Sequence, residues 1–377
     1  MLISKPSSGP NSSGSKEGTA PHAGRPFRPA VRTVFKCLCL LLVLILLNGA
    51  LSFVLEPFHG PSEEMWQGFR QKAQLDTVYT GTSQCLQGID PEVLDPVLHQ
   101  NSYNMATNMQ SLADSCDAIE TAIREKHIQR AVLVIDHEIL DMKRSDNFRA
   151  DQSYWHAKAM TEPSLAKRLS DDAAFMTSAS FFGTPASLTY LTPWVYSRTT
   201  SLAQNLKEKL SGRVLNSEGH RTASGFLPSS ETLDPSLSFI SWEEAEEWDD
   251  IAVSLQELSI SEENKKELAA IRDLCAASGV SLTVMVIPYP NALSIYRVEE
   301  YLAADQELSD LFGEAGFDFY DFNRILPEYF DASGNEYYSD VGHMNAKGAE
   351  RFSAFLAEFL AARENKEDVR SWFRSNQ

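Results

Sequence analysis

Basic side chains are in short supply in this sequence. Its 377 residues include 33 Lys and Arg against 52 Asp and Glu, which leaves a net charge of -19. Nucleic-acid binding depends on clustered Lys and Arg that neutralise phosphates. The composition therefore argues against a nucleic acid as a partner, while a hydrophobic content of 43% is enough for a substantial core.

Cysteine is also scarce, and the five cysteines follow no pattern of metal ligands. Cys37 and Cys39 begin an apolar segment, whereas Cys85, Cys116 and Cys275 are scattered. Because His and carboxylate residues do not cluster at ligand spacing either, the sequence predicts no metal site and indicates no cofactor. Buried thiols are the favoured interpretation of the scattered cysteines, and a disulfide between Cys85 and Cys116 is the alternative.

Charge is missing from one long apolar stretch, residues 37–55. About 19 helical residues at a rise of about 1.5 Å each span the hydrocarbon core of a bilayer, about 30 Å. We therefore predict a transmembrane helix over residues 34–55. Residues 1–33 are rich in Ser, Gly and Pro and predict a disordered tail.

The charges on either side of this helix predict its orientation. Basic residues dominate the N-terminal side, and Glu56, Glu63 and Glu64 follow the helix. The positive-inside rule therefore predicts a single-pass protein of the cell membrane, with its tail in the cytoplasm and the rest of the chain outside. A cleaved signal peptide is the alternative. The long tail, the length of the run and the lack of a clear small-x-small site disfavour it.

The remainder of the chain predicts one α/β domain. Residues 56–74 are interpreted as a membrane-proximal connector, residues 75–365 as an extracytoplasmic domain and residues 366–377 as a C-terminal tail. In the domain, short apolar runs typical of buried strands alternate with amphipathic helical patterns, which indicates parallel βαβ units. Strands are predicted at residues 76–80, 102–105, 131–135, 281–288 and 317–321, and helices at 111–126, 261–279, 306–316 and from 349 onwards.

Two motifs far apart in the chain carry candidate chemistry. Gly81-Thr82-Ser83 follows the first predicted strand, so Ser83 lies at the strand's carboxyl end, where parallel α/β sheets bind ligands. Near the C-terminus, Asp340 precedes His343 by three residues on a loop that leads into an amphipathic helix. A hydroxyl needs a base within hydrogen-bond reach to act as a nucleophile. We therefore predict that His343 accepts the proton of Ser83 and that Asp340 orients the imidazole.

Residues 141–250 do not follow the strand and helix alternation. They are polar, rich in Ser and Thr, and end in an acidic run, so we interpret them as a partly helical insertion over the active-site edge. Their aromatic residues are expected to pack a small core of the insertion itself, and stacking on sugars is the alternative. These aromatics are Trp155, Phe181, Phe182, Tyr190, Trp194, Tyr196, Trp242 and Trp248.

The order of strand, Gly-x-Ser turn, α/β body and terminal Asp-x-x-His resembles the SGNH (GDSL-like) hydrolase superfamily. The likeness covers residues 75–362 and implies a three-layer α/β/α fold with a parallel central sheet. Gly-Thr-Ser in place of Gly-Asp-Ser is similar to the membrane-anchored branch that contains the teichoic-acid D-alanylation protein DltD and the alginate acetylation proteins AlgJ and AlgX.

The resemblance also implies where donors to an oxyanion are expected, namely the N–H of the nucleophile, a second-block Gly and a third-block Asn. The second-block position here runs from Asn104 to Asn108 without any Gly, so these two Asn are candidate donors beside the N–H of Ser83. The third-block position holds Asp136 and His137 instead of Asn. These two residues are an alternative candidate acid–base pair.

The resemblance implies a serine enzyme, either an O-acyltransferase or an esterase, that acts on acyl groups of a cell-envelope polysaccharide or teichoic acid. It further implies a partner, a multi-spanning membrane O-acyltransferase that brings the acyl group across the bilayer. The alternative is a catalytically inactive binding or assembly subunit, which the departures in the second and third blocks favour. A secreted lipase or general esterase is a third interpretation, and the uncleaved anchor disfavours it.

Overall fold

The computed structural model describes residues 29–58, 60–141, 147–160, 194, 198–212, 220–234, 258–290 and 298–374. The chain divides into two units, Met1–Phe53 and Val54–Gln377. Most of the predicted insertion and most of the N-terminal tail lie outside the described residues. So do the aromatics Phe181, Phe182, Tyr190, Tyr196, Trp242 and Trp248.

The N-terminal helix α1 covers Pro29–Leu55. Its segment Val31–Leu55, 25 residues, is long and apolar enough to cross a membrane. That length corresponds to about 37 Å of helix, against about 30 Å of hydrocarbon. The helix begins at Pro29 rather than at residue 34, because the fixed φ of proline suits the first helical position. A helix able to span a membrane is therefore confirmed.

The unit Val54–Gln377 contains a five-stranded sheet with connecting helices. The strands are β1 (Thr77–Gly81), β2 (Ser102–Asn104), β3 (Arg130–Val134), β4 (Ser281–Val286) and β5 (Asp318–Asp321). The helices are α2 (Pro61–Gln71), α3 (Ser83–Gly88), α4 (Pro91–Leu98), α5 (Leu112–Lys126), α6 (Glu138–Asp141), α7 (Asn147–Met160), α8 (Leu202–Ser211), α9 (Glu262–Ser278), α10 (Val298–Gly313) and α11 (Ala346–Glu364). Short 3-10 helices cover Phe322–Arg324, Asn335–Tyr337 and Val369–Trp372.

All strands of the sheet are parallel, in the order β2-β1-β3-β4-β5. Their carboxyl ends therefore meet at one edge. The chain passes from β1 to β2 on one side and returns to β3 on the other. The crevice between the ends of β1 and β3 is thus the topological switch point, where such sheets bind ligands. The predicted α/β fold with a parallel central sheet is confirmed.

Each face of the sheet has its own apolar core. Successive strand residues point to opposite faces. Val78, Leu133 and Val284 join one buried cluster with residues of α5, α9 and α10. Tyr79 and Met285 join the other with residues of α3, α4 and α11. Burial of both faces explains why these strands are almost continuously apolar in sequence.

The strand bounds differ from the predicted ones by one or two residues, but two helices begin earlier than predicted. Helix α10 begins at Val298 rather than at residue 306, because Tyr301 and Ala304 extend its buried side towards the N-terminus. Helix α11 begins at Ala346 rather than at residue 349, because Asn345 caps it. Helices α5 and α9 match the predicted ranges within one residue, with serine caps before each.

The segment predicted as a C-terminal tail packs against the domain. Val369 is 4% exposed, and Phe373 forms an antiparallel bridge with Ile325. The rings of Trp372 and Tyr329 stack at a centroid distance of 4.9 Å. The described domain therefore continues to residue 374 rather than ending at 365. These apolar contacts could not be predicted from sequence, because the segment is rich in charged residues.

The cysteines on α3 and α9 are buried thiols. No disulfide joins Cys85 to Cys116. Burial raises the pKa of the Cys275 thiol to about 12, and it also raises the pKa of Cys85. Since the thiolate is the reactive form of cysteine, these two thiols are expected to be chemically inert.

Candidate active site

Ser83 is the first residue of α3, directly beyond the carboxyl end of β1. Gly81 has a φ of 150°, and a Cβ there would lie 2.3 Å from the carbonyl oxygen of Val134, so only glycine allows β1 to approach β3 this closely. Thr82 caps the helix, because its Oγ1 accepts from the N–H of Gln84 at 3.4 Å. This turn places a half-buried Ser83 at the switch point.

His343 lies on the loop that precedes α11. Asn345 caps α11 by accepting from the N–H of Gly348 at 3.0 Å, and its amide donates to backbone oxygens of the neighbouring loops. A Cβ at Gly348 would lie 1.9 Å from the carbonyl oxygen of Tyr337, so the first turn of the helix needs glycine to pack against this loop. The Asn-x-x-Gly pattern therefore fixes the position of His343.

The three predicted catalytic residues are adjacent in space. Ser83 Oγ lies 2.7 Å from His343 Nε2, although the two residues are 260 positions apart in the chain. His343 Nδ1 lies 2.8 Å from Asp340 Oδ1 and 3.0 Å from Asp340 Oδ2. With the ring proton on Nδ1, His343 donates to Asp340 and accepts from the Ser83 hydroxyl. This is the arrangement of a nucleophile, its base and the group that orients the base.

The electrostatics of this loop favour a charged imidazole. Burial disfavours the imidazolium of His343, but the hydrogen bond and charge of Asp340, with the charges of Asp136 and Glu138, outweigh it and raise the pKa of His343. Burial opposes the charged form of Asp340 as well. Hydrogen bonds from His343 and from the N–H of Gly342 nevertheless lower the pKa of Asp340 below its usual value.

Comparisons with protein-family models and with curated proteins gave no match for this chain. The chemistry of the site is therefore inferred from its own residues and their geometry. That geometry is specific, because a base held between a hydroxyl and a carboxylate has a defined tautomer and a defined direction of proton transfer.

A segment of the predicted insertion, residues 220–234, contacts both halves of the site. The N–H of Leu227 donates to the carbonyl of Leu86 on α3 at 3.0 Å, and the N–H of Leu233 donates to the carbonyl of Tyr338 at 2.7 Å. The same segment thus touches the helix that carries Ser83 and the loop that carries His343. No sequence pattern indicates these contacts, since backbone groups of an irregular segment make them.

Asn104 is not available to an oxyanion. It is 0% exposed, and its amide donates to the carbonyls of Cys85 at 2.8 Å and Ile89 at 2.9 Å, while its Oδ1 accepts from the N–H of Ala106 at 3.0 Å. Both amide hydrogens are engaged with the backbone around α3, so the prediction for Asn104 is wrong and its role is structural. Asn108 is exposed on the following turn, and its assignment stays a prediction.

Asp136 and His137 do not act as the alternative acid–base pair. Asp136 Oδ2 accepts from Thr82 Oγ1 at 3.4 Å. His137 instead points into the interior, where its Nε2 lies 3.2 Å from Asp305 Oδ1 and its Nδ1 lies 3.5 Å from the hydroxyl of Tyr289. Both ring nitrogens of His137 face buried groups, and burial lowers its pKa. The prediction of this pair is therefore wrong.

One group of side chains among the described residues could hold a metal ion. Ligand atoms of Asp114, Asp117 and His156 all lie within 4.8 Å of one another. The first two come from α5 and the third from α7, and Ser153 Oγ donates to Asp114 Oδ2 at 2.6 Å. The sequence did not indicate this group, because its members come from two helices separated by strand β3. None of them belongs to the elements that carry Ser83, His343 or Asp340.

Proposed function

We propose that this chain is a membrane-anchored serine enzyme of the SGNH type that transfers or hydrolyses ester-linked acyl groups outside the cytoplasm. The observation that carries the proposal is the contact of 2.7 Å between Ser83 Oγ and His343 Nε2, with Asp340 on the other ring nitrogen. A hydroxyl with a base in reach and a carboxylate behind that base is suited to nucleophilic acyl transfer. The position of Ser83 at the topological switch point, where such sheets bind ligands, supports the same function.

In the proposed reaction, Ser83 Oγ attacks the carbonyl carbon of an acyl ester while its proton moves to His343 Nε2. Asp340 stabilises the imidazolium, which then protonates the leaving oxygen as the carbon–oxygen bond breaks. An acyl ester on Ser83 remains. The N–H of Ser83 has no acceptor within α3, because it is the first of the helix, and it is the proposed donor to the oxyanion.

The second half of the reaction releases the acyl group. A water molecule or a hydroxyl of the acceptor attacks the acyl-serine, His343 takes the attacking proton, and the same proton returns to Ser83 Oγ as the ester bond breaks. Water as the attacking group makes the protein an esterase, and a sugar or polyol hydroxyl makes it an O-acyltransferase. The triad serves both reactions, since only the acceptor differs.

The proposed substrate is a cell-envelope polysaccharide or teichoic acid. The helix Val31–Leu55 would tether the domain at the membrane surface, where such polymers are assembled, and the basic N-terminal tail favours a cytoplasmic N-terminus. The proposed partner is a multi-spanning membrane O-acyltransferase that supplies acyl groups. The two apolar cores, one on each face of the sheet, support the finer assignment of a three-layer SGNH arrangement.

A fluorophosphonate probe tests the serine chemistry directly. The full-length protein in detergent micelles is treated with the probe, whose phosphorus is attacked by an activated serine with loss of fluoride. We expect the added mass on the peptide that contains Ser83, and its loss in Ser83→Ala. Ser261→Ala is the matched control, because Ser261 also lies at the start of a helix, but its hydroxyl accepts from the backbone N–H of Asn264 and does not contact a histidine.

An unlabelled Ser83 in a protein shown to be folded by intrinsic fluorescence contradicts the proposal. Where labelling succeeds, the acyl content of envelope polymers in cells that produce Ser83→Ala identifies the physiological direction. A fall in acyl content favours the O-acyltransferase, and a rise favours the esterase.

A second candidate function is a catalytically inactive binding or assembly subunit. The commitment of both Asn104 amide hydrogens to the backbone favours it, because one predicted oxyanion donor is lost. This candidate predicts that deleting the protein lowers polymer acylation, whereas Ser83→Ala leaves acylation unchanged. It also predicts no fluorophosphonate labelling, so the two candidates give opposite results in the same pair of experiments.

A further inference from the structure

Asp136 lies beyond the end of β3, beside the turn that carries Ser83. Strands β1 and β3 pair in register to their last residues, which brings the residues that follow them into the same crevice. Thr82 Oγ1 donates to Asp136 Oδ2 at 3.4 Å, and the N–H of Glu138 donates to Asp136 Oδ1 at 3.0 Å. Asp136 is 7% exposed. A buried carboxylate therefore contacts the residue directly before the nucleophile.

Asp136 and His343 also act on each other through their charges. The negative charge of Asp136 raises the pKa of His343, as do Asp340 and Glu138. Burial raises the pKa of Asp136, with a further rise from Glu138, and the charges of His137 and His343 oppose that rise. A buried carboxylate beside a nucleophile disfavours an oxyanion, and it favours a cation. The only cation that forms in the proposed reaction is the imidazolium of His343.

We propose that Asp136 is a positioning residue of this site, whose carboxylate holds Thr82 and supplies the imidazolium of His343 with a second negative neighbour besides Asp340. The inference rests on the proposed serine chemistry, because it assigns Asp136 a part in how the base of that chemistry works. Asp340 acts on Nδ1 through a hydrogen bond, whereas Asp136, which contacts Thr82 directly before Ser83, acts through its charge. Both half-reactions pass through the imidazolium, so both depend on these carboxylates.

If Asp136 has this role, removing its charge should displace the pH profile of Ser83 labelling to lower pH. Only neutral His343 accepts a proton, so Ser83 reacts faster as pH rises through the pKa of His343. A nearby carboxylate stabilises the imidazolium and moves this rise to higher pH. Asp136→Asn removes the charge while keeping the shape, because its oxygen can accept from the N–H of Glu138 and its amide can donate to Thr82 Oγ1. The midpoint of the rise should then move to lower pH by about 0.5 to 1 unit.

The experiment is the rate of fluorophosphonate labelling of the full-length protein in detergent, measured from about pH 5 to about pH 9, the range in which histidine titrates. Glu138→Gln is the matched control, because it removes the same charge two residues further on from an exposed side chain. Solvent and salt screen exposed charges, so its midpoint should move by less than about 0.3 unit. Asp136→Glu keeps the charge and should keep the wild-type midpoint.

A labelled wild type whose midpoint is unchanged in Asp136→Asn overturns this inference alone. An equal displacement in Glu138→Gln also overturns it, since the effect then belongs to the general surface potential. Absence of labelling in the wild type overturns the proposed function and this inference with it. Intrinsic fluorescence checks that Asp136→Asn is folded. If it is not, Asp136→Ser provides the uncharged variant, and the same displacement is required of it.

Discussion

The molecule contains two histidine–aspartate pairs in different surroundings, His343 with Asp340 and His137 with Asp305. The first pair is half-exposed, with 28% of the His343 side chain and 54% of the Asp340 side chain accessible. The second pair is buried, with 0% and 3% accessible. The N–O distances are similar, 2.8 Å and 3.2 Å. The pKa of His343 is raised, whereas the pKa of His137 is lowered.

Burial explains why the two histidines shift in opposite directions. Desolvation dominates at His137, although the charges of Asp321 and Asp136 oppose it. The carboxyl groups near His137 are desolvated too, and burial raises the pKa of Asp305 and of Asp321 to about 7 each. At His343 the partner Asp340 is half-exposed, and its hydrogen bonds lower its pKa, so it stays charged. A histidine–aspartate pair therefore becomes a base only where its carboxylate stays ionised and a nucleophile is in reach.

The pair of His137 and Asp305, called the inner pair in contrast to the outer pair of His343 and Asp340, belongs to a buried polar cluster, the inner cluster. Tyr301 donates its hydroxyl to Asp321 Oδ2 at 2.7 Å, and Asn323 Nδ2 lies 3.1 Å from the same hydroxyl. Arg324 Nη1 lies 3.6 Å from Asp305 Oδ2. Such a network fixes the ends of β3 and β5 against α10, so its contribution is to stability rather than to chemistry at Ser83.

Replacing each of the two histidines by glutamine should give the largest difference in labelling rate between the two pairs. His343→Gln should lower the rate of fluorophosphonate labelling at Ser83 by at least about 1,000-fold, because the base is lost. His137→Gln should change that rate by less than about threefold and lower the free energy of unfolding by about 1 to 3 kcal/mol, because buried hydrogen bonds are lost. Labelling kinetics and urea unfolding in detergent measure the two effects. A large loss of labelling in a folded His137→Gln would show that the inner pair takes part in the chemistry.

Asp340→Asn should have the next largest effect. The amide no longer holds His343 in the tautomer that accepts from Ser83, nor does it stabilise the imidazolium, so labelling should slow by about 100-fold or more. The pKa of His343 should fall, because the largest favourable partner of its charged form is removed. Rates of fluorophosphonate labelling, measured across the pH range, check both statements. Asp331→Asn is the matched control, since this exposed aspartate lies on the same loop region and contacts Ser333 rather than His343.

The inner cluster should make stability depend on pH in a defined direction. Asp305 and Asp321 have pKa values of about 7 in the fold, above the usual 3.8. Their contribution to stability is therefore complete only below about pH 3.8, and it is lost progressively as pH rises from there through about 7. The free energy of unfolding should fall by about 1 to 2 kcal/mol between about pH 6.5 and pH 8.

Asp305→Asn should remove at least half of this pH dependence, because one of the two groups no longer titrates and Asp321 loses the neighbouring charge that helps to raise its pKa. Asp310→Asn, on the exposed side of the same helix, should leave it unchanged. Urea unfolding at the two pH values measures the difference. An identical slope in the wild type and Asp305→Asn would mean that the buried carboxyl groups do not titrate near neutrality.

Tyr301→Phe should have the smallest effect. It removes one hydroxyl that donates to Asp321, and the free energy of unfolding should fall by about 1 kcal/mol. Labelling of Ser83 should keep the wild-type rate and pH midpoint, because the cluster is separate from the outer pair. A displaced midpoint would show that the two histidine–aspartate pairs are coupled.

Local patterns were sufficient to predict much of this fold. The apolar run of α1, the alternation of strands and helices and the serine caps of α5 and α9 depend on neighbouring residues in the chain. Ser83, Asp340 and His343 were also found from sequence, because each lies in a short motif at a strand end or before a helix. The placement of Ser83 beside His343 agrees with that interpretation, and their catalytic role stays a prediction.

Other features depended on contacts that no local pattern records. Asn104 looks like an available donor in the sequence, yet its amide is engaged by the backbone of α3 and the loop after it. The adjacent residues Asp136 and His137 look like a pair, yet they point to different surroundings. The packing of residues 220–234 against both halves of the site is equally invisible in sequence.

The long apolar helix α1, the parallel α/β class and the three side chains of the proposed triad could be predicted from sequence alone, because propensity, capping and hydrophobic period act over a few residues. Three properties could be read only from the folded chain: which histidine contacts the serine, which carboxylates stay charged and which amides already donate to the backbone. Those properties depend on burial and on partners distant in the chain, since desolvation and hydrogen bonding are set by whatever the fold packs around each group.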